Sequence, residues 1–419
     1  MTDLMTRRTA FLGPNMPTFY DRPIHLVRGQ GVHVWDAAGR QYLDCYNNVP
    51  HVGHCHPKVV DAITQQASTL NTHTRYLHDG IVDYAERLTA KFDHDLDQLI
   101  MVCTGSEAND IAIRMAHAVT GKVGIISTDN TYHGNTHLVT QLSSRKPPIG
   151  GYAPYVKRVP SPDTLRPLGG SLAAQGAAFA TEVQTAIDAL ESEGHGFAGF
   201  MFCPVFANEG LHDLDAEFLQ PVVDVVHRAG GLLLCDEVQP GFGRCGSHWW
   251  GHDRMAIAPD VVTIGKPMAN GHPVASVVTR PDVMAAFRNA FGYFNTFGGN
   301  PVSCAAASAV LDIIEEEHLV ENAHKVGSEL TAHLASMDHP LVANVRGVGL
   351  FVAVEIERDG TPAMQDAAHV VEAMKNRSIL MGRTGRHGNT LKFRPPMPFS
   401  SDNAAQVAEA LTDVLKDMP

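Results

Sequence analysis

The sequence predicts an α/β chain built on a doubly wound, mostly parallel sheet, with a smaller α+β region following it. Three observations carry this. Short apolar runs recur through the middle of the chain without the alternation of a half-exposed strand. Segments of helical periodicity separate them, which is the pattern of a sheet covered on both faces. The chain is also long enough, at 419 residues with 44% hydrophobic and 18% charged, for more than one layer of core.

The first fifty residues read as strand-rich and irregular, packing on other parts of the chain. The runs "LIMVC" (99–103), "VGIIS" (123–127), "FAGFMFC" (197–203), "GLLLCDEV" (231–238) and "VVTIG" (261–265) read as buried strands. Between them, "SEANDIAIRMAHAV" and "EFLQPVVDVVHRAG" have helical spacing, and the second runs into a Gly pair suited to ending a helix. This alternation places the α/β core between about residue 60 and about residue 300. A long helix over "PVSCAAASAVLDIIEEE" follows, then strands in "VANVRGVGLFVAVEI" and "NTLKFRPPM", then a final helix.

The formal net charge of −13 repels phosphate backbones and anionic surfaces, which argues against nucleic acid and membranes as partners. The opening "MTDLMTRRTAFLG" lacks the apolar stretch of a secretory signal, and no apolar span is long enough for a bilayer. Seven scattered cysteines fit reduced thiols, so a cytoplasmic protein is the expectation.

In open α/β sheets, ligands bind beyond the carboxyl ends of strands. "LIMVC" is followed by Thr104-Gly105-Ser106-Glu107, with the spacing of a capping box. Gly105 and Ser106 would offer bare N–H groups to an anion at a helix N-terminus, although the same residues cap a helix that binds nothing. Asp236 follows an apolar run so closely that it needs a cationic or protonated partner. Lys266 leaves the next strand in the same way. A desolvated ammonium tends toward the neutral, nucleophilic amine, while the ordinary alternative is a snorkelling or ion-paired lysine. Phosphate cradle, buried carboxylate and buried lysine together match the needs of pyridoxal 5′-phosphate: an anion site, a partner that keeps the pyridine nitrogen protonated, and an amine for the aldehyde.

Two motifs point elsewhere when taken alone. "GFGRCG" (241–246) has dinucleotide-loop spacing, but the "SHWWGHDR" that follows opens no periodic helix. "HVGHCHP" (51–57) gathers histidines and Cys55 without the spacing of a zinc site, so no metal is expected.

Over nearly its whole length the chain resembles the class III (ω-) aminotransferases among fold-type I pyridoxal-phosphate enzymes. The likeness lies in "YNNVPHVGHCHP", "GSEAND", "TYHGN", "LLLCDEVQPGFGRCG", "IGKPMANGHPVA", "FNTFGGNPVSCAAA", "RGVGLF" and "KFRPPM", in family order. The resemblance implies a mostly parallel seven-stranded sheet in a large cofactor-binding domain over 59–302. A small α+β domain over 303–419 packs with the N-terminal segment 1–58. It implies Lys266 as the imine-forming lysine and Asp236 as the pyridine-nitrogen partner. Val238 lies under the ring, Gln239 at its hydroxyl, and Tyr132 stacks on it with His133 alongside. Gly105 and Ser106 form the phosphate turn. Thr296 reaches the phosphate of a second subunit, implying a homodimer with shared active sites, or a tetramer built from it.

The implied reaction is ping-pong transfer of an amino group from an amino acid or ω-amine to a keto acid or aldehyde. The sequence departs from the family at the substrate end. Lys392 stands where an arginine commonly holds a substrate carboxylate, with Arg394 two positions on and able to share its face. The glutamate that pairs with that arginine maps near Asn208 and Glu209. Asn48, Glu209 and Arg394 are therefore the candidate substrate residues, with Arg75, Arg383 and Arg386 as further cations. "NNVPHVGHCHP", "LNTHTRYLHDGIVDYAERL" and "KFRPPM" are most similar to a subgroup of alanine–glyoxylate-type aminotransferases and amino-alcohol-phosphate phospholyases. Elimination of phosphate is thus the alternative to amino transfer.

Overall fold

A computed structural model describes residues 2–14, 16–144 and 147–418. Its centre is a seven-stranded sheet in the spatial order Gln98–Val102, Ala275–Thr279, Val261–Ile264, Leu232–Asp236, Phe197–Phe202, Gly124–Thr128, Val156–Val159. Only Ala275–Thr279 runs against its neighbours. The four strands from Gly124–Thr128 to Val261–Ile264 are buried at every position, which is why they appear in the sequence as unbroken apolar runs.

Two strands escape the sequence reading. Val156–Val159 ("VKRV") lies at the sheet edge with Lys157 and Arg158 only partly covered. Ala275–Thr279 ("ASVVT") is fully buried but short and interrupted by a serine, which is hidden by bonding: the Ser276 hydroxyl donates to the Met268 sulfur. The N-terminal region also begins with a helix, Thr2–Leu12, ahead of its strands. Leu4, Phe11 and Leu12 of that helix are exposed, so no buried stripe marks it in the sequence.

The strands Leu26–Gln30, His33–Asp36 and Gln41–Asp44 form a second sheet, completed by Ile379–Leu380 running parallel to Gln41–Asp44. A third sheet joins Val342–Val348, Phe351–Arg358, Thr390–Phe393 and Gly382–Thr384, with Thr361–Pro362 at its side. The stretch 241–246 is a turn, not a helix start. Its glycines permit close packing: a Cβ on Gly246 would lie 2.7 Å from the His324 backbone, in helix Leu319–Ala335. Arg244 within it is fully buried and donates to the carbonyls of Leu350 (3.1 Å) and Pro395 (2.8 Å), tying this turn to the third sheet and to the segment after Arg394. The histidines of 51–57 bond in three separate directions, to the Phe242 carbonyl, Asp44 and Glu317. Among the described residues, no helix is long and apolar enough to cross a membrane.

Candidate active site

Leu232–Asp236 and Val261–Ile264 are adjacent parallel strands with Asp236 level with Thr263, so Asp236 and Lys266 leave the sheet side by side at its carboxyl end. Because Ala275–Thr279 runs the other way, its entry residues Pro273 and Val274 close the same end. These parts enclose a cavity of about 280 Å³ walled by Gly105, Ser106, Tyr132, Asp236, Val238 and Lys266, with His133 and Gln239 also in its lining.

The cradle is a helix N-terminus. Thr104 caps Gly105–Thr120, and its hydroxyl accepts from Glu107 N while the Glu107 carboxylate accepts from Thr104 N. That box secures the first turn without using the Gly105 and Ser106 amides, which remain available to an anion. Glycine keeps the packing close at two positions and is required at the second. A Cβ on Gly105 would sit 3.1 Å from a Val238 methyl, and one on Gly134, at φ 145°, 2.7 Å from the Ser106 Cα. The Ser106 hydroxyl accepts from Asn135 N at 3.0 Å, fixing the Tyr132–Gly134 segment against the cradle.

Asp236 is held by three donors. Val238 N reaches Oδ1 at 3.0 Å, while His133 Nδ1 (2.6 Å) and Asn109 Nδ2 (3.0 Å) reach Oδ2. Asn109 is itself oriented by the Thr263 hydroxyl, which donates to its Oδ1 at 2.6 Å. His133 therefore braces Asp236 as well as lining the cavity. Asn109 was not singled out in the sequence. A signal was available, because it lies one turn after Gly105 on the inner face of the same helix, where a buried amide needs partners.

Lys266 starts a short 3-10 turn, Lys266–Ala269, ended by Asn270 in the left-handed conformation at φ 51°. The Asn270 side chain accepts from Val52 N and donates to Gly53 O, clamping the turn to the 51–57 segment. Burial lowers the Lys266 pKa; Asp236 partly offsets this, and the Arg394 charge adds to the lowering. Cys203 also lines the cavity, its thiol pKa pushed well up by burial.

Substrate-end residues distribute differently from the family pattern. Lys392 is buried, donates to the Ala207 carbonyl, and has a pKa held well below the ordinary lysine value, chiefly by desolvation and then by Arg394. Glu209 is buried and accepts from the Thr128 hydroxyl (2.7 Å) and Asn208 N (3.0 Å). Arg394 donates to Tyr46 O (2.9 Å) and Gln239 Oε1 (2.5 Å), its guanidinium 4.7 Å from the Tyr46 ring centre. Glu209 is thus engaged by Thr128 and Asn208, and Arg394 by Tyr46 and Gln239. Asn48 is buried beside Val49 of the cavity wall, with its Nδ2 lacking a protein partner. Arg383 bonds Gly388 O within its own loop, Arg386 pairs with Asp129, and Arg75 stacks on Phe294 outside this cavity. Thr296 is exposed and is not part of the cavity wall.

The arrangement suits pyridoxal 5′-phosphate on this chain's own geometry. An amide cradle kept open by glycine, a braced carboxylate and a desolvated amine surround one flat space. Comparison with known proteins agrees. The family model "Aminotransferase class-III" matches residues 17–415. An alanine–glyoxylate aminotransferase 2-like protein of Drosophila melanogaster is 39% identical, covering 99% of this chain and 88% of the relative. An ethanolamine-phosphate phospho-lyase homolog of Caenorhabditis elegans is 33% identical, covering 99% and 93%. The solved structure of an Arthrobacter phospholyase in complex with phosphoethanolamine superposes with a TM-score of 0.95 at 40% identity, covering all of both chains. The chain belongs to the class III aminotransferases, pyridoxal 5′-phosphate-dependent enzymes of fold type I.

Proposed function

We propose that this enzyme is a phospholyase that takes a small amino-alcohol phosphate and water to a carbonyl compound, ammonia and inorganic phosphate. One observation carries elimination over transfer. A transaminase alternates between an amine and a keto acid, and its family clamp for the carboxylate is the arginine that Lys392 replaces. Here that amine is turned onto the Ala207 carbonyl and weakened as a cation by burial. A lyase handles one substrate and needs no such alternating clamp. The likeness to the Arthrobacter phospholyase over its full length supports the same reading.

In this reading the bound cofactor supplies an electron sink for the bonds at the substrate's amine-bearing carbon. Gly105 and Ser106 would hold its phosphate, Val238 and Tyr132 would pack on its ring, Gln239 would serve its hydroxyl, and Asp236, braced by His133 and Asn109, would serve its ring nitrogen. Lys266 anchors it. With substrate bound, Lys266 would act as the base on the substrate carbon, a role its lowered pKa favours. Proton removal lets the phosphate depart from the adjacent carbon. Arg394, whose charge acts on Lys266, is the cation assigned to the substrate, with Asn48 next to Val49 of the cavity wall, and Glu209 keeps a structural place against Thr128. The same proposal includes the divisions at 58/59 and 302/303, and a homodimer, alone or within a tetramer, in which Thr296 serves the neighbouring site.

The holoenzyme with phosphoethanolamine and no keto acid tests this. Phosphate and ammonia should appear in equal amounts. Conversion that depends on an added keto acid and releases no phosphate would instead establish amino transfer, the activity named in the Drosophila relative.

A further inference from the structure

Glu107 and Asn295 form a link that the chemistry above does not use. Glu107 sits in the first turn of the phosphate helix, yet its carboxylate faces away from the cavity. One oxygen accepts from Cys103 N (3.0 Å) and Thr104 N (2.8 Å), and the other from Asn295 Nδ2 at 3.2 Å. The Asn295 Oδ1 in turn accepts from Phe297 N (3.1 Å) and Gly298 N (2.8 Å), so its side chain spans Thr296 from below. The far side of the loop is pinned as well. A Cβ on Gly298 would lie 2.4 Å from Met101 O, on the strand that leads into the same helix. Thr296 is the exposed apex of a turn fixed to one rigid unit: strand end, cap and first helical turn.

We propose that Glu107 and Asn295 are positioning residues that couple a subunit's own phosphate cradle to the Thr296 loop it lends to its partner, so that filling one site favours filling the other. This rests on the dimer proposed above but not on the identity of the substrate. An anion in the cradle adds its own contacts to the first helical turn, which Thr104 and Glu107 already cap, and holds it more tightly. That turn holds Glu107, Glu107 holds Asn295, and Asn295 sets the loop that completes the neighbouring site. Coupling of this kind is reciprocal, and the second ligand meets a loop already ordered.

Titrating cofactor into the apo dimer, followed by the absorbance of Lys266-bound cofactor, tests it. The wild type should bind with a Hill coefficient above 1. Asn295→Ala should bind about tenfold more weakly and without cooperativity. In a Thr296→Val background, Asn295→Ala should add nothing, because its effect passes through Thr296; a purely structural role would still add its own loss. In mixed dimers of Asn295→Ala with Lys266→Ala chains, the absorbing site belongs to the Asn295→Ala chain but receives an intact loop from its partner. Its affinity should return to the wild-type value. Weak binding in the mixed dimer would show that Asn295 acts on its own site and would overturn the proposal, as would additive losses in the double variant. A chain that sediments as a monomer would remove both this coupling and the dimer on which it rests. That outcome would leave phosphate release, measured separately, unaffected.

Discussion

Burial lowers the pKa of two lysines around one cavity, and they differ in what they face. Lys266 opens onto space and onto Asp236, whereas Lys392 is enclosed between the Ala207 carbonyl and the Phe351 ring. A lysine whose folded pKa is depressed sheds its proton in the native state before the unfolded chain does. Stability therefore rises with pH between the lowered folded value and the unfolded value of about 10.4. Lys392→Met keeps the length of the side chain and removes that slope, while other groups titrate alike in both proteins. The variant's stability relative to wild type should be more favourable at pH 7 than at pH 10. Urea unfolding of the apo forms at the two pH values measures this; parallel pH dependences would mean that Lys392 is protonated in place. At this scale, the sequence makes Lys266 and Asp236 legible because a charge ending an apolar run is hard to place otherwise. Asn109 is marked only by its place on the inner face of the phosphate helix, and Cys203 is silent because it carries no charge that burial must justify.

Each side chain depends on how its element ends. The five apolar runs of the sequence are strands to within about two residues; four are buried at every position, while Gln98–Val102, expected to be buried, is largely half-covered because it lies at the sheet edge. Val156–Val159 was not legible because an edge strand need not be apolar, and Ala275–Thr279 because its serine interrupts a short run and is satisfied by a sulfur eight residues earlier. Contacts between turns are still less visible. Nothing in "TYHGN" announces that Gly134 rests on Ser106, yet no side chain fits there. Gly134→Ala would place its Cβ 2.6 Å from the Ser106 hydroxyl and force the phosphate turn to move. Helix Gly105–Thr120 should survive, because Thr104 and Glu107 cap it independently. Cofactor affinity should fall by about 10- to 100-fold, corresponding to roughly 1.4–2.7 kcal/mol, with helical circular dichroism unchanged. An unaltered cofactor titration would show that the turn yields without consequence.

At the scale of the whole molecule, one group of exposed apolar side chains lies around the loop that carries Thr296. Leu77 is fully exposed, Phe297 is 71% and Tyr76 65% exposed, and Phe294 carries the Arg75 guanidinium 3.9 Å above its ring. His73 stacks on Tyr76 and meets Phe294 edge-on, so the segment 73–77 and the loop form one surface. Scattered apolar exposure is ordinary, but a contiguous patch of aromatic and aliphatic side chains marks an interface. This surface was not legible in the sequence, where Leu77 in "RYLHDG" reads like any loop leucine, because exposure is a property of the folded neighbourhood. In a two-fold dimer every substitution on such a surface appears twice. Leu77→Asp combined with Phe297→Asp should therefore bury four unpaired carboxylates per dimer, each costing about 2 kcal/mol or more. That raises the dimer dissociation constant by several orders of magnitude. The variant should sediment as a single chain while unfolding as cooperatively as the wild type, since neither residue contributes to the core. It should also hold cofactor more weakly, because each site then lacks its partner's Thr296. If the variant remains dimeric with normal cofactor affinity, the subunits meet through a different face, and Thr296 serves neither site.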